Sequence, residues 1–304
     1  MSSRPRIVDA QVHAWGPDSA EAPWRIIRGD SVYNTARAHF IKDIWTWERV
    51  LAAMDDANVD AAVFFSPGLI YGDDPTYGLR AAEANPGRFA VVVPVLPGEE
   101  DLADKLLGWG ASPHILGIRV LAYTDAVFEQ LCDGRAARTI QAAGNHGLAV
   151  HVYAPGYLHR LHEVASRYPD VQLVIDHLGL KQPPVMTLDD PSQPFAGFER
   201  LLELAKYPNV AVKATAIPTL SLESFPFADV WPYLHRLLDA FGVERVMWGT
   251  DATRVAEMLS YREGVDYVLG SEELSHSEKA AFLGGSLESI YGWVPAGRAR
   301  AHDV

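Results

Sequence analysis

The sequence predicts an α/β fold, a closed (β/α)8 TIM barrel, on three observations. Short apolar runs alternate with amphipathic stretches eight times along 304 residues. The runs are apolar almost throughout, as in a parallel sheet covered by helices on its outer face. No glycine-rich dinucleotide loop follows the first run, since AQVHAWGPDSAEAP (10–23) has one glycine. That disfavours the open, doubly wound alternative.

The elements follow in order. The first strand is predicted over 6–13 (RIVDAQVH). A helix over 45–58 carries Trp47, Val50, Leu51 and Met54 at helical spacing. The second strand, 59–68, ends at Pro67-Gly68. The helix at 74–85 has Pro75 in its first turn and Asn85-Pro86-Gly87 at its end. Strand three (88–97) and a helix (99–110) lead to strand four (114–122) and a helix stopped by Gly147. Strand five (148–156), a helix (157–170), strand six (171–179) and a helix (195–209) continue the alternation. Strand seven (210–216), a helix (229–242) and strand eight (244–251) complete it. The stretch 252–271 reads as helical, and 276–293 adds an extra C-terminal helix. One barrel domain over 1–304 is expected.

The loops at 14–44, 178–195 and 214–227 are long and all follow strands, so they gather at the C-terminal face of the barrel, where active sites sit. Trp24, Met186, Phe195 and Phe225 suggest that they pack as lids. Pro183, Pro184, Pro191 and Pro194 predict that 178–195 is stiff rather than helical.

Composition narrows the function classes. The chain is 48% hydrophobic and 21% charged, an ordinary globular balance. With 39 acidic against 26 basic residues the formal net charge is −13, which argues against nucleic acid or an anionic membrane as partner. Cys132 is the single cysteine, so neither an intrachain disulfide nor a thiolate zinc cluster can form. The N-terminus lacks a signal-like apolar segment and no run is long enough for a membrane span, so a cytoplasmic location is expected.

Polar residues at the strand exits carry the functional reading. Gln11 and His13 are two apart and share a face at the end of strand one. Strand five carries His151, strand six ends at His177 and strand eight at Asp251. Four strands thus deliver imidazoles, an amide and a carboxylate to one rim of a barrel normally filled with branched apolar side chains. Imidazole and carboxylate are ligands for zinc and similar metals. The same groups hold and deprotonate a water. Alternation turns Asp176 outward as a structural residue, and Arg254 reads as a first-turn surface residue after Asp251, with a second anion clamp as the alternative. His39, His114, His146, His159, His162, His235 and His276 lie on loops or helices and receive no role.

The chain resembles the amidohydrolase superfamily, in its aminocarboxymuconate-semialdehyde decarboxylase and 2-pyrone-4,6-dicarboxylate lactonase branch. The matching pieces are VDAQVHAW, GIRV, AVHVYAPG, VIDHLG, VKAT, RVMWGTD and FLGGSLESIYG, from the first strand to the last helix. The resemblance implies metal-ligand roles for His13, His151 and Asp251, with Asp251 also the general base. It implies that His177 binds or activates the water or the substrate. Arg119 would grip a substrate carboxylate in a bidentate fork, and Gln11, Trp15 and Tyr153 join it as substrate-binding candidates. Gln11 stands where the family usually has a histidine, which leaves either one divalent metal, zinc, or none. DATR at 251–254 lacks the family's tryptophan-proline, and GGS at 284–286 replaces its asparagine in what reads as a structural turn. The implied function is hydrolysis of a small, carboxylate-bearing lactone or related cyclic ester by an Asp-activated water. The alternatives are metal-dependent, non-oxidative decarboxylation of an aromatic or unsaturated acid, and a catalytically silent ligand-binding barrel. A small-molecule partner is expected, and relatives of this family are often homodimers.

Overall fold

A computed structural model describes residues 4–25, 40–99, 101–184 and 186–296. Its eight strands are β1 (Val8–Val12), β2 (Ala61–Phe65), β3 (Phe89–Val95), β4 (Ile115–Leu121), β5 (Ala149–Tyr153), β6 (Leu173–Ile175), β7 (Val210–Thr215) and β8 (Val246–Gly249). They form one parallel sheet in chain order, as predicted for a (β/α)8 barrel. The two ends of the sheet meet through the Asp251 amide, which donates to the Gln11 carbonyl at 3.0 Å. Asp9 adds to that seam by accepting from the Thr250 amide at 2.9 Å and its hydroxyl at 2.5 Å.

The packing explains the near-continuous apolar strands. One set of side chains, including Val50, Phe64, Phe89, Ile118, Leu201 and Leu237, fills the layer between sheet and helices. The opposite set, including Ala10, Ala61, Val92, Ala149, Val174 and Met247, fills the barrel. Leu287 on the helix Ser286–Tyr291 joins this inner set and plugs the barrel from below.

Local chemistry places the breaks that pattern reading ran through. The stretch 252–271 is two helices, Ala252–Val255 and Tyr261–Leu269. Ser260 restarts the second: its hydroxyl caps the Glu263 amide while the Glu263 carboxylate caps the Ser260 amide. A helix at Asp125–Cys132, started by the Thr124 cap, was not expected. At 284–286, Gly284 lies against the Arg6 carbonyl, and Ser286 donates to the Val246 carbonyl at 2.8 Å, so GGS is structural. Phe195 is buried, stacked on Tyr233 of the helix Trp231–Phe241 rather than over the barrel mouth, and Phe225 is 46% exposed. His39 and the central part of the 14–44 loop fall outside the described residues. Among the described residues, no helix is long and apolar enough to cross a membrane.

Candidate active site

Three backbone irregularities bring the polar groups together. In β1 the register slips by one residue between Asp9 and Val12. This bulge leaves Asp9 on the seam with β8 and aims Gln11 at the barrel axis. The sixth strand stops at Ile175, not 179, and His177 and Leu178 follow with φ of 54° and 58°. Asp251 after β8 also sits in the left-handed region, φ 52°. Non-glycine residues enter that region at an energetic cost, and here it aims two functional side chains.

The structure overturns the expectation for Asp176. It lies two residues after Val174, which fills the barrel, so it keeps the inward phase and is fully buried there, while the left-handed backbone at His177 turns that residue inward as well. Its carboxylate accepts from Arg119 Nε at 2.7 Å and His151 Nδ1 at 2.9 Å, and Lys213 Nζ lies 3.0 Å away. Burial alone would raise its pKa, but Lys213, Arg119 and His151 outweigh burial and hold it well below the carboxylate range. Arg254 is likewise not a surface residue. Its side chain is 13% exposed, its Nε donates to Asp251 Oδ2, and its amino groups reach the Pro183 carbonyl (2.5 Å) and Gln182 Oε1 (2.8 Å).

The histidines divide into two groups. His13 and His177 face a cavity of about 410 Å³, together with Arg119, Tyr153, Asp251 and Arg254. Gln11 and Trp15 also line it. His151 does not. Its Nδ1 donates to Asp176 and its Nε2 accepts from Tyr291 of the plugging helix at 3.0 Å. It is a structural histidine of the barrel floor. Burial lowers the pKa of His13 to about 4 and of His151 to about 4, and holds that of His177 well below its usual value, so all three are neutral at pH 7.

Each predicted residue thus has a defined place. Trp15 forms a wall, its indole donating to the Phe40 carbonyl at 2.9 Å. Tyr153 donates to the Leu180 carbonyl at 3.2 Å and to Met186 Sδ at 3.0 Å, which ties the 178–195 loop to the rim. Arg119 has Nε on Asp176 and one amino group on His177 at 3.1 Å. The remainder of its guanidinium borders the cavity. Asp251 Oδ2 is held by Arg254, while Oδ1 is buried with no hydrogen-bond partner among the described residues. Burial would raise the Asp251 pKa, but Arg254, His177 and His13 hold it well below the usual range, so the carboxylate is ionised.

Two residues of the site had no expected role. Phe65 carries the cluster: its ring lies edge-on to His151 (5.0 Å between centroids), with Lys213 Nζ 3.7 Å and Arg119 5.2 Å from its centre. Lys213 is fully buried, and burial lowers its pKa to about 8. The signal for Lys213 was in plain view, a lone lysine inside the apolar strand VAVKAT.

The residues do not fit the metal that the amidohydrolase resemblance implies. From the expected set, His13 Nε2 and Asp251 Oδ1, 3.4 Å apart, lie at the cavity, while both ring nitrogens of His151 are engaged. Gln11 Oε1 is taken by the Lys213 ammonium, which places a positive charge beside any cation there. Among the described residues, no three His, Cys, Asp or Glu side chains are grouped to hold a metal ion.

Fold and site together define an amidohydrolase-type barrel with a carboxylate and cationic groups around one cavity. The amidohydrolase family model matches residues 8–293, and the chain belongs to that family. It is 29% identical over 248 residues to L-fucono-1,5-lactonase of Burkholderia ambifaria, covering 80% of this chain and 79% of that one. It is 27% identical over 206 residues to 4-sulfomuconolactone hydrolase of Hydrogenophaga intermedia, covering 67% of this chain and 64% of that one. A crystal structure of a Burkholderia multivorans amidohydrolase with bound zinc superposes with a TM-score of 0.75 at 22% identity, over 94% of this chain and 99% of that one.

Proposed function

We propose that this cavity hydrolyses a small lactone bearing a carboxylate, with Asp251 as general base. The observation that carries the reading is Asp251, an ionised carboxylate lining the cavity whose Oδ1 has no donor among the described residues. A buried acceptor left open in this way is costly unless something fills it. A water that donates to Oδ1 is held for attack on the lactone carbonyl. As the water oxygen bonds to the carbonyl carbon, its proton passes to Asp251. Collapse of the tetrahedral intermediate breaks the ring C–O bond, and Asp251 returns the proton to the leaving alkoxide. Arg119, Arg254 and Lys181 border the cavity against the one carboxylate of Asp251, so the site favours an anion. Arg119, beside the Tyr153 and Phe65 rings, is the carboxylate anchor. His177 does not polarise the carbonyl, because its Nε2 already accepts from Arg119 and Gln11. The two relatives named for lactone hydrolysis support the same reaction class.

The test is a pH-stat screen of neutral and carboxylated lactones alongside aromatic acids, with wild type and Asp251→Asn. Carboxylated lactones should be turned over best, and the Asn variant should lose about 10²–10⁴-fold in kcat. Undiminished activity of Asp251→Asn, or CO2 release from the acids with no lactone opened, would overturn the proposal. Chelator dialysis should leave wild-type activity within about twofold, because the site's own groups hold the water.

A further inference from the structure

We propose that Lys213 and Gln11 are positioning residues that fix the tautomers of His13 and His177 and so keep Asp251 uncapped. The inference rests on reading Asp251 as the base. The chain of constraint starts at Asp176, whose Oδ1 lies 3.0 Å from Lys213 Nζ. The ammonium also donates to Gln11 Oε1. Because an ammonium has donors only, the Gln11 carbonyl oxygen faces it and the amide NH2 faces the other way. Gln11 Nε2 then lies 3.1 Å from Nε2 of His13 and 3.1 Å from Nε2 of His177. An amide NH2 has hydrogens to give and no lone pair to accept with, so both ring atoms present lone pairs. Arg119, 3.1 Å from His177 Nε2, imposes the same choice. The ring protons therefore sit on Nδ1, where His13 donates to the Phe65 carbonyl at 2.7 Å and His177 to Thr215 Oγ1 at 2.6 Å.

The consequence falls on the carboxylate. His13 Nε2 is 3.4 Å from Asp251 Oδ1, and His177 Nε2 is 3.8 Å from Oδ2. An Nε2 proton on His13 would turn a donor towards Oδ1, the oxygen that must take the water proton, whereas His177 lies beyond hydrogen-bond reach of an Oδ2 that Arg254 already holds. One amide, oriented by one buried ammonium, sets both tautomers and keeps His13 from capping Oδ1. Lys213 and Gln11 act only through the imidazoles and take no part in proton transfer themselves.

The test is long-range 1H–15N correlation of the 15N-histidine-labelled protein at pH 7.5, with His13→Gln and His177→Gln variants to assign the rings. Both rings should be neutral and protonated on Nδ1. Gln11→Glu keeps a partner for Lys213 but has no hydrogen to offer. It should move the proton of at least one ring to Nε2 and lower kcat about 10²-fold with KM within about threefold. Nε2 protonation of either ring in the wild type overturns the proposal, and this readout needs no variant to fold. Retention of both tautomers and of wild-type kcat in Gln11→Glu overturns it equally. A wild type that opens no lactone fails the functional reading instead, and the spectrum still decides the relay.

Discussion

At the scale of single residues, the barrel mouth works because charges are paired in a fixed order and one oxygen is left over. Asp176 bridges Lys213 and Arg119, Arg254 holds one oxygen of Asp251, and Oδ1 remains. Arg119→Lys replaces a planar fork by a point charge. It should raise KM for a carboxylated lactone at least tenfold and leave KM for a neutral lactone nearly unchanged. Equal effects on both would remove Arg119 as the anchor. Acid stability follows from the neutral histidines. The unfolded chain protonates them near 6.5, while His13 and His151 in the fold protonate only near 4 and burial holds His177 well below its usual value. Between 6.5 and 4 the unfolded state binds more protons, so stability falls as pH drops through that window, by roughly 3 kcal/mol for each of His13 and His151 at its end. Asp9 acts in the opposite sense, since its folded pKa is raised to about 6, but it is one group against three. Urea midpoints at pH 7.5 and 4.5 check the sign, and equal midpoints would refute it.

At the scale of elements, the 178–195 loop is fastened to the chemistry by side chains rather than by regular structure. Arg254 joins Asp251 to Gln182 and Pro183, Gln182 Nε2 donates to the Thr215 carbonyl at 3.1 Å, and Tyr153 holds Leu180 and Met186. Arg254→Met should therefore loosen the loop and change the base together. Tryptic cleavage after Lys181 should become faster, and kcat should fall about tenfold or more. A variant with lower kcat but unchanged cleavage would separate the two roles. The stiffness of this loop was legible from its prolines, but its anchor was not, because Arg254 is distant in sequence and looks like any first-turn arginine. Asp176 shows the same limit, since its outward direction followed from placing His177 on the strand, and the left-handed turn after β6 takes His177 out of phase with Val174.

At the scale of the whole molecule, the C-terminal helix is both plug and anchor. Leu287 seals the inner core and Tyr291 satisfies His151, so a chain ending at residue 285 should fail to fold cooperatively. Tyr291→Phe should cost about 1–3 kcal/mol by leaving His151 Nε2 without a donor, with kcat unchanged, because neither Tyr291 nor His151 lines the cavity. Calorimetry and lactone kinetics on the same preparation check both halves. The sequence by itself determined the eight-fold strand–helix order and the polar strand exits of Gln11, His13, His177 and Asp251. These follow from periodicity and turn chemistry, which are local. Only the tertiary structure decided that His151 belongs to the floor, that Asp176 and Arg254 turn inward, and that Lys213 orients Gln11. Those outcomes depend on which donor meets which acceptor across a closed barrel, and on a bulge and two left-handed residues that redirect side chains. Hydrogen-bond partners hundreds of residues apart leave no trace in local pattern.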